Sequence, residues 1–358
     1  MSRRTGATTL QDVAKEAGVS AMTVSVVMNG ARSATRVSDT TRERIQEVAL
    51  RLRYRPNAVA QGLSRRCLDT IGVVAEIDGE DLNLYFLEVL NGILESARHH
   101  GQNTTVLSVA SWEQEEQRIV KFCDGRVDGI IFIGPILSPQ FAKTVSHHVP
   151  FVAIHSNSPL EEAQNLESDD EGGAYQIVKY LIDQGHRHIA HFRGNDGFRG
   201  AHLRQLGYRR ALEEAGIPYS DDLIMGGQFV AESGRERARR LVATKGNSLP
   251  TAVFCANDTI AYGCMEVLSE SGLSVPQDIS VVGFDDTLLA RMTTPPLTTI
   301  RQPVRRMGQR AVDLLMPKIR ESNTGAVVEN SVSSVEVFDI ELIVRGSVGA
   351  PRPNFVIL

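Results

Sequence analysis

A small all-α head followed by an α/β body of two doubly wound parallel-sheet lobes is the fold predicted by this 358-residue chain. Three observations predict it. Residues 10–29, LQDVAKEAGVSAMTVSVVMN, hold two short helical patterns joined at Gly18. Beyond residue 70, seven short apolar runs alternate with helical stretches, and the series restarts after a polar passage at 157–168. Strand-helix alternation of that kind marks parallel sheets with crossover helices, and 42% apolar residues suffice for more than one core.

In the first helix Leu10, Val13, Ala14 and Ala17 follow the i, i+3, i+4, i+7 spacing of one buried face. Gly18 tolerates the left-handed backbone that ends a helix. Ser20 is a cap for a second helix whose inward residues are Val24, Val27 and Met28. A third helix starts at the cap Ser38, and Ile45, Val48, Ala49 and Leu52 close a three-helix core. This is helix-turn-helix grammar, in which the second helix enters the major groove of DNA and turns Ala21, Met22, Ser25 and Val26 toward base edges. The alternative is a helical hairpin that packs on another protein. Charge argues for DNA: residues 1–66 carry 12 Lys and Arg against 5 Asp and Glu, whereas residues 67–358 carry 26 against 38. A basic head on an acidic body suits phosphate contact.

The head is assigned to residues 1–56 and a linker to 57–69. Pro56 fixes an entry angle, Asn57 can cap, and Ala58 to Leu63 have helix-forming content interrupted by Gly62. So short a helix is unstable alone in water. Two copies meeting across a symmetric operator would supply the missing partner, each with Leu63 as an apolar wedge in the minor groove. A solvated tether without order is the other reading.

The body spans residues 70–358. Its runs are IGVVAEI from Ile71, TTVLSVA from Thr104, GIIFIG from Gly129 and FVAIHS from Phe151, then HIAHFRG from His188, TAVFCAND from Thr251 and ISVVGFDD from Ile279. Runs apolar on both faces suit strands buried in a parallel sheet. Open parallel sheets hold ligands beyond the carboxyl ends of their strands, which singles out His155, Arg193 to Gly200, Asn257 with Asp258, and Asp285 with Asp286. A cleft collecting guanidinium, amide, carboxylates and aromatic rings suits a polyhydroxylated small molecule. The bland readings are a surface arginine at 204, a turn residue at Asn257 and a helix cap at Asp285. Gly194, Gly197 and Gly200 lack the GxGxxG spacing, and no nucleophile-base set appears, so no enzyme is indicated. Cys67, Cys123, Cys255 and Cys264 show neither CxxC nor ligand spacing, so no metal or cofactor is expected. The N-terminal MSRRTGATT lacks a secretory apolar segment and no run is long enough for a membrane span, which points to a cytoplasmic protein that makes no membrane contact.

These residues resemble the LacI/GalR family of bacterial transcriptional regulators. The likeness runs through TLQDVAKEAGVS with TVS and Asn29, YRPN with Ala60 and Leu63, VDGIIF, LIDQGHRHIAHFRG, ANDTIAYG, ISVVGFDD, and PPLTTIRQP leading into MGQRAVDLL. It implies a homodimer whose heads read a pseudo-palindromic double-stranded operator, and a body like periplasmic sugar-binding proteins. It places an N-lobe at about residues 70–162 with part of 295–358, and a C-lobe at about 163–294 with part of 300–325. PPLTTIRQP and the strand around Ile340 to Val344 are expected to complete the N-lobe. Residue by residue, Thr9, Ser20, Thr23, Ser25 and Asn29 match DNA-backbone positions and Ala21, Met22 and Val26 base-reading positions. Tyr54 opens the hinge segment, in which Asn57, Ala60 and Leu63 match the family. For the effector, Arg204, Asn257, Asp285 and the aromatic Phe229 match cleft positions, with Phe86, His155 and Val304 as looser matches.

The chain departs from the family at three places. Valine at position 26 stands where the family most often has arginine, which removes a guanine contact that contributes about 1–3 kcal/mol of discrimination. The loop EIDGEDLNLYF is about three residues longer than usual, and the tail VRGSVGAPRPNFVIL has no leucine heptads, so a dimer is expected. The implied protein is a repressor whose operator affinity follows occupancy of the cleft by a sugar or polyol, with a purine or nucleoside as the alternative effector. Whether the effector induces or corepresses is left open by the sequence.

Overall fold

The computed structural model describes all residues except 1–7, 30–36, 57–61, 63–66, 78–82, 158–159, 161–162, 244–248, 325–333 and 353–358. It divides into a unit over residues 1–69 and a unit over residues 70–358. The hinge positions Asn57, Ala60 and Leu63, the longer loop at 78–82 and the end of the tail therefore lie outside the described residues.

In the head unit, helices α1 (Leu10–Ala17), α2 (Ala21–Asn29) and α3 (Asp39–Arg51) form where the apolar spacing places them. Thr9 caps α1 reciprocally: its hydroxyl accepts from the Asp12 N–H at 3.3 Å and the Asp12 carboxylate accepts from the Thr9 N–H at 3.0 Å. Gly18, at φ 64°, ends α1 in the left-handed region. Ser20 accepts from the Thr23 N–H at 3.1 Å and Ser38 from the Thr41 N–H at 3.3 Å, so the two remaining helices start on hydroxyl caps. Val13, Ala14, Ala17, Val24, Ile45, Val48 and Ala49 are buried together as the head's core.

The body begins with β1 (Thr70–Glu76), α4 (Leu84–His99), β2 (Asn103–Val109), α5 (Glu116–Phe122), β3 (Gly129–Ile133), α6 (Pro139–Ser146), β4 (Phe151–Ile154) and β5 (Gln164–Ser168). It continues with α7 (Asp170–Asp183), β6 (Ile189–Phe192), α8 (Arg199–Glu214), β7 (Ile224–Met225), α9 (Ala231–Ala243), β8 (Ala252–Cys255), α10 (Asp258–Glu270) and β9 (Ser280–Val282). The last elements are α11 (Leu288–Met292), β10 (Thr299–Arg301), α12 (Val304–Thr324), β11 (Ser334–Phe338) and β12 (Glu341–Ile343).

One parallel sheet runs β11-β5-β4-β3-β1-β2 and a second runs β7-β6-β8-β9. Alternation assigns each strand's side chains to opposite faces. In the first lobe Val73, Ile131 and Val152 pack under α4 and α12, while Val74, Ile130 and Phe151 pack under α5 and α6. In the second, Phe192, Val253 and Val281 face α9 and α10, while Ile189, Phe254 and Val282 face α7 and α8. Cys255 and Cys264 are free thiols buried in the second core. Among the described residues no helix is long and apolar enough to cross a membrane.

The lobes exchange chain in a way the sequence reading placed differently. Residues 163–168, expected in the second lobe, supply β5 of the first sheet, and the crossing comes at Asp169. The chain returns after β10, and α12 buries Met307, Ala311 and Leu315 in the first-lobe core rather than the second. It crosses a third time after β11. The strand at 341–343 then pairs antiparallel with β10, Thr299 opposite Ile343, and does not complete the first lobe. Ile300, Ile340 and Leu342 pack with Ile177 and Phe284 of the second. The apolar count of those residues was readable; which of two cores receives them depends on a crossing only about two residues long.

Two glycines decide how closely α4 and α12 approach. A Cβ on Gly92 would overlap the Arg305 carbonyl, and one on Gly308 would overlap the Val89 carbonyl. Gly92→Ala is expected to lower body stability by about 1–3 kcal/mol through overpacking, read as a lower thermal midpoint; an unchanged midpoint would contradict the close contact.

Candidate functional site

Two sites need separate description, a helical face on the head and a cleft within the body. On the head, Met22 is the most exposed of the predicted base-facing residues, at 64%. Thr9 and Ser20 are exposed at the amino ends of α1 and α2, while Thr23, Ser25 and Val26 are half-buried on α2. Helix amino ends carry partial positive charge and unused N–H groups, which suits phosphate oxygens. Two positions are less open than the sequence suggested. Ala21 and Tyr54 both pack in part against the head core, so each has a structural role besides any DNA contact. Asn29 is the last residue of α2.

In the body, the carboxyl ends of both sheets face a cavity of about 300 Å³. Six of the seven effector positions read from sequence line it: Phe86, His155, Arg204, Phe229, Asn257 and Asp285. Val304 does not. It opens α12 and is buried in the first-lobe core beside Met307, as its apolar side chain requires. Asp258 and Asp286, adjacent to predicted contacts, also turn away: Asp258 accepts from the Thr287 N–H at 2.7 Å and the Thr299 hydroxyl at 2.6 Å, and Asp286 is clamped by Arg301 and Arg345.

Arg204, on α8, is buried at 7% exposure and held on several sides. Its Nε donates to Asp170 at 2.8 Å, one terminal nitrogen donates to the Ala256 carbonyl, and its plane lies 3.9 Å from the Phe284 ring centroid. The other terminal nitrogen is 3.7 Å from Asp285, beyond hydrogen-bond length. That leaves a guanidinium donor and a carboxylate acceptor side by side at the cleft without a hydrogen bond to each other. Asn257 caps α10, accepting from the Ile260 N–H at 2.8 Å and donating to the Phe229 carbonyl at 3.2 Å. The turn role and the cleft position thus coexist. Phe229 stands edge to face with Phe198 at 6.0 Å, and a Cβ on Gly194 would strike its ring, which explains that glycine without a phosphate.

A chain of hydrogen bonds joins the lobes along the cleft floor. Tyr85 donates to His155 Nδ1, His155 Nε2 donates to Ser168 Oγ at 2.8 Å, Ser168 donates to Gln302 Oε1, and Gln302 Nε2 donates to Asp285 at 2.5 Å. The order requires a neutral imidazole. Burial agrees, pushing the His155 pKa down to about 4 and that of Tyr85 up, while Asp285 is pushed up to about 6, chiefly by burial. At the cleft wall Arg199 binds Glu167 through its side chain, and its N–H donates to Asn157 at 2.9 Å, again between lobes.

Sequence reasoning missed Tyr85, Trp112, Glu167, Asp170 and Gln302. Trp112 and Asp170 follow strands β2 and β5 closely, so the carboxyl-end rule could have found them. Tyr85 sits on a helix, and Glu167 and Gln302 lie inside or beside crossings; nothing in their local pattern marks them.

The family described as "Bacterial regulatory proteins, lacI family" matches residues 9–57, and "Periplasmic binding protein-like domain" matches residues 178–348. The HTH-type transcriptional repressor PurR of Vibrio campbellii is 35% identical over 316 residues, 87% of this chain and 92% of its own. The HTH-type transcriptional regulator DegA of Bacillus subtilis is 35% identical over 306 residues, 84% and 88% of the two chains. Among solved structures, the lac repressor dimer bound to operator and the anti-inducer ONPF aligns with a TM-score of 0.78 at 30% identity, covering 96% of this chain and 100% of that one. The transcriptional regulator CelR-cellobiose complex aligns at 0.69 and 30% identity, covering 95% and 99%.

The buried imidazole gives a testable pH dependence. Below its ordinary value of 6.5, the unfolded chain takes up a proton that folded His155 refuses until about pH 4, so stability falls as pH falls through that window. Asp285 acts oppositely, because the folded form holds its proton between 6 and 3.8. His155→Gln should therefore flatten the loss of thermal midpoint from pH 6.5 to 4, by up to about 3 kcal/mol; a slope equal to the parent's would show that His155 is not held neutral.

Proposed function

The chain belongs to the lacI family of bacterial regulatory proteins, and from that premise we propose that it is a DNA-binding transcriptional repressor whose operator affinity is set by a small molecule held between the two lobes of its body. The homodimer places two heads on a pseudo-palindromic operator. Thr9, Ser20, Thr23, Ser25 and Asn29 meet phosphates, and Ala21, Met22 and Val26 meet base edges. With no arginine at position 26, base reading rests on apolar contact with thymine methyls, on groove shape and on phosphates. The hinge residues Asn57, Ala60 and Leu63 order when paired on DNA, and the effector acts by favouring one lobe arrangement over another.

The observation that carries the effector half of this reading is the 3.7 Å gap between Arg204 and Asp285 beside the Phe198–Phe229 wall. Donor and acceptor side by side suit a ring hydroxyl, and the aromatic wall suits the apolar face of a sugar. A purine or nucleoside is the second reading, favoured by the aromatic side chains of the lining, on which a flat base can stack, and by relatives named PurR.

Selection of duplexes from a random pool by the purified protein tests the first half: a dyad-symmetric site should emerge, with affinity falling steeply with salt. Emergence of no such site, with or without candidate effectors, overturns it. For Met22→Ala, affinity for the selected site should fall by about 1 kcal/mol or more while random duplex binding stays unchanged; equal losses on both would move Met22 off the base-reading face.

A further inference from the structure

We propose that the effector carries a protonated amine, and that Glu167 receives it. The inference rests on the cleft being an effector site and narrows what enters it. Glu167 is the penultimate residue of β5 in the first sheet, with only 6% of its surface exposed, yet it lines the cavity. One carboxylate oxygen is bound by Arg199; the other, Oε1, is buried and has no hydrogen-bond partner among the described residues. A carboxylate oxygen only accepts, so what meets it must donate. Buried acceptors left unmet are costly, and a ligand that fills the cavity without a donor there would leave that cost standing.

The rest of the lining points to the same chemistry. Its described residues carry four carboxylates, Glu76, Glu167, Asp170 and Asp285, against two guanidinium groups, Arg199 and Arg204, and the one imidazole, His155, is neutral. Arg204's donors are already largely committed to Asp170 and Ala256. A phosphate or carboxylate ligand would face an excess of negative charge in the lining. An ammonium has the opposite fit, because its three donors match the acceptors and its positive charge offsets the excess of carboxylates. Glu167 also binds across the lobes through Arg199, so an ammonium on Oε1 alters an interlobe ion pair directly. The assigned class is a polyhydroxylated amine: hydroxyls at Arg204 and Asp285, ammonium at Glu167.

The test uses probes of matched shape and different charge, read by thermal shift and calorimetry on the full chain. Tris is compared with pentaerythritol, glucosamine with glucose and with glucose 6-phosphate, and inosine is the neutral nucleoside. The amine should bind about tenfold tighter or more than its neutral match in at least one pair, and Glu167→Gln should bring the ratio of the two affinities, measured on the same variant, close to one. The wild-type comparison decides the question even if the variant folds poorly. A neutral sugar, inosine or the phosphate binding as well as or better than the amines overturns the amine assignment and leaves the small-molecule reading intact. Silence from every probe overturns the amine assignment too. Only operator binding that no small molecule alters would sink the underlying reading as well.

Discussion

The body depends on a constraint at its waist: three chain crossings, each only one or two residues long, join two sheets that otherwise have separate cores. Short crossings allow rotation but little translation. What fixes the angle is the side-chain network laid across them. Ser168 ends β5 at the first crossing, Gln302 lies in the second, and the Asp169 N–H donates to the Phe338 carbonyl at 3.3 Å, tying the first to the third. The hydrogen-bond chain from Tyr85 to Asp285 runs through two of these links, one end on a first-lobe helix and the other at the second-lobe strand end that faces Arg204. Every member needs its neighbour, since a buried polar group without a partner costs about 1–3 kcal/mol. The network therefore has few intermediate arrangements, which is what a two-state element requires.

This arrangement explains why Arg204 is a poor candidate for a simple ligand clamp and a good one for a coupling residue. Its charge is balanced by Asp170, which opens α7 just after the first crossing, and by the more distant Asp285. Ligand entering the Arg204–Asp285 gap changes the environment of a carboxylate that also ends the interlobe chain. Binding and lobe angle are then the same equilibrium viewed from two atoms, and the effector shifts it only to the extent that its contacts differ between the two arrangements.

Much of this was legible in the sequence where a local rule applied. The caps Thr9, Ser20 and Ser38, the left-handed Gly18 and the apolar stripes of three helices dictate the head without reference to anything distant. Buried parallel strands announce themselves by being apolar on both faces, and the strand-end rule found His155, Asn257 and Asp285. Legibility failed where identity is set by topology. Ile340 and Leu342 are as apolar as any first-lobe residue, and only the third crossing sends them to the second core. Val304 lies near cleft residues in sequence but begins a helix whose apolar stripe faces the other way. Glu167 sits in a short, mostly polar strand, QNLES, whose sequence does not announce a buried strand, and its partner Arg199 lies 32 residues away.

The first crossing also contributes to the acidity of the cleft. Glu167 and Asp170 lie at the first crossing, and neither is needed for the sheet: the strand pairs through its backbone, and α7 is already capped by Asp169 accepting from the Gly172 N–H at 2.8 Å. Burying two carboxylates there is unfavourable unless cations accompany them. Arg204 pairs with Asp170 within the second lobe, whereas Arg199 reaches from that lobe to Glu167 of the first, so this second ion pair holds the cleft walls together and separates if the lobes open. A ligand that supplies its own cation relieves that dependence on closure, whereas a neutral ligand leaves it in place. On the proposed reading, the charge an effector brings to Glu167 therefore bears directly on the ion pair between the lobes.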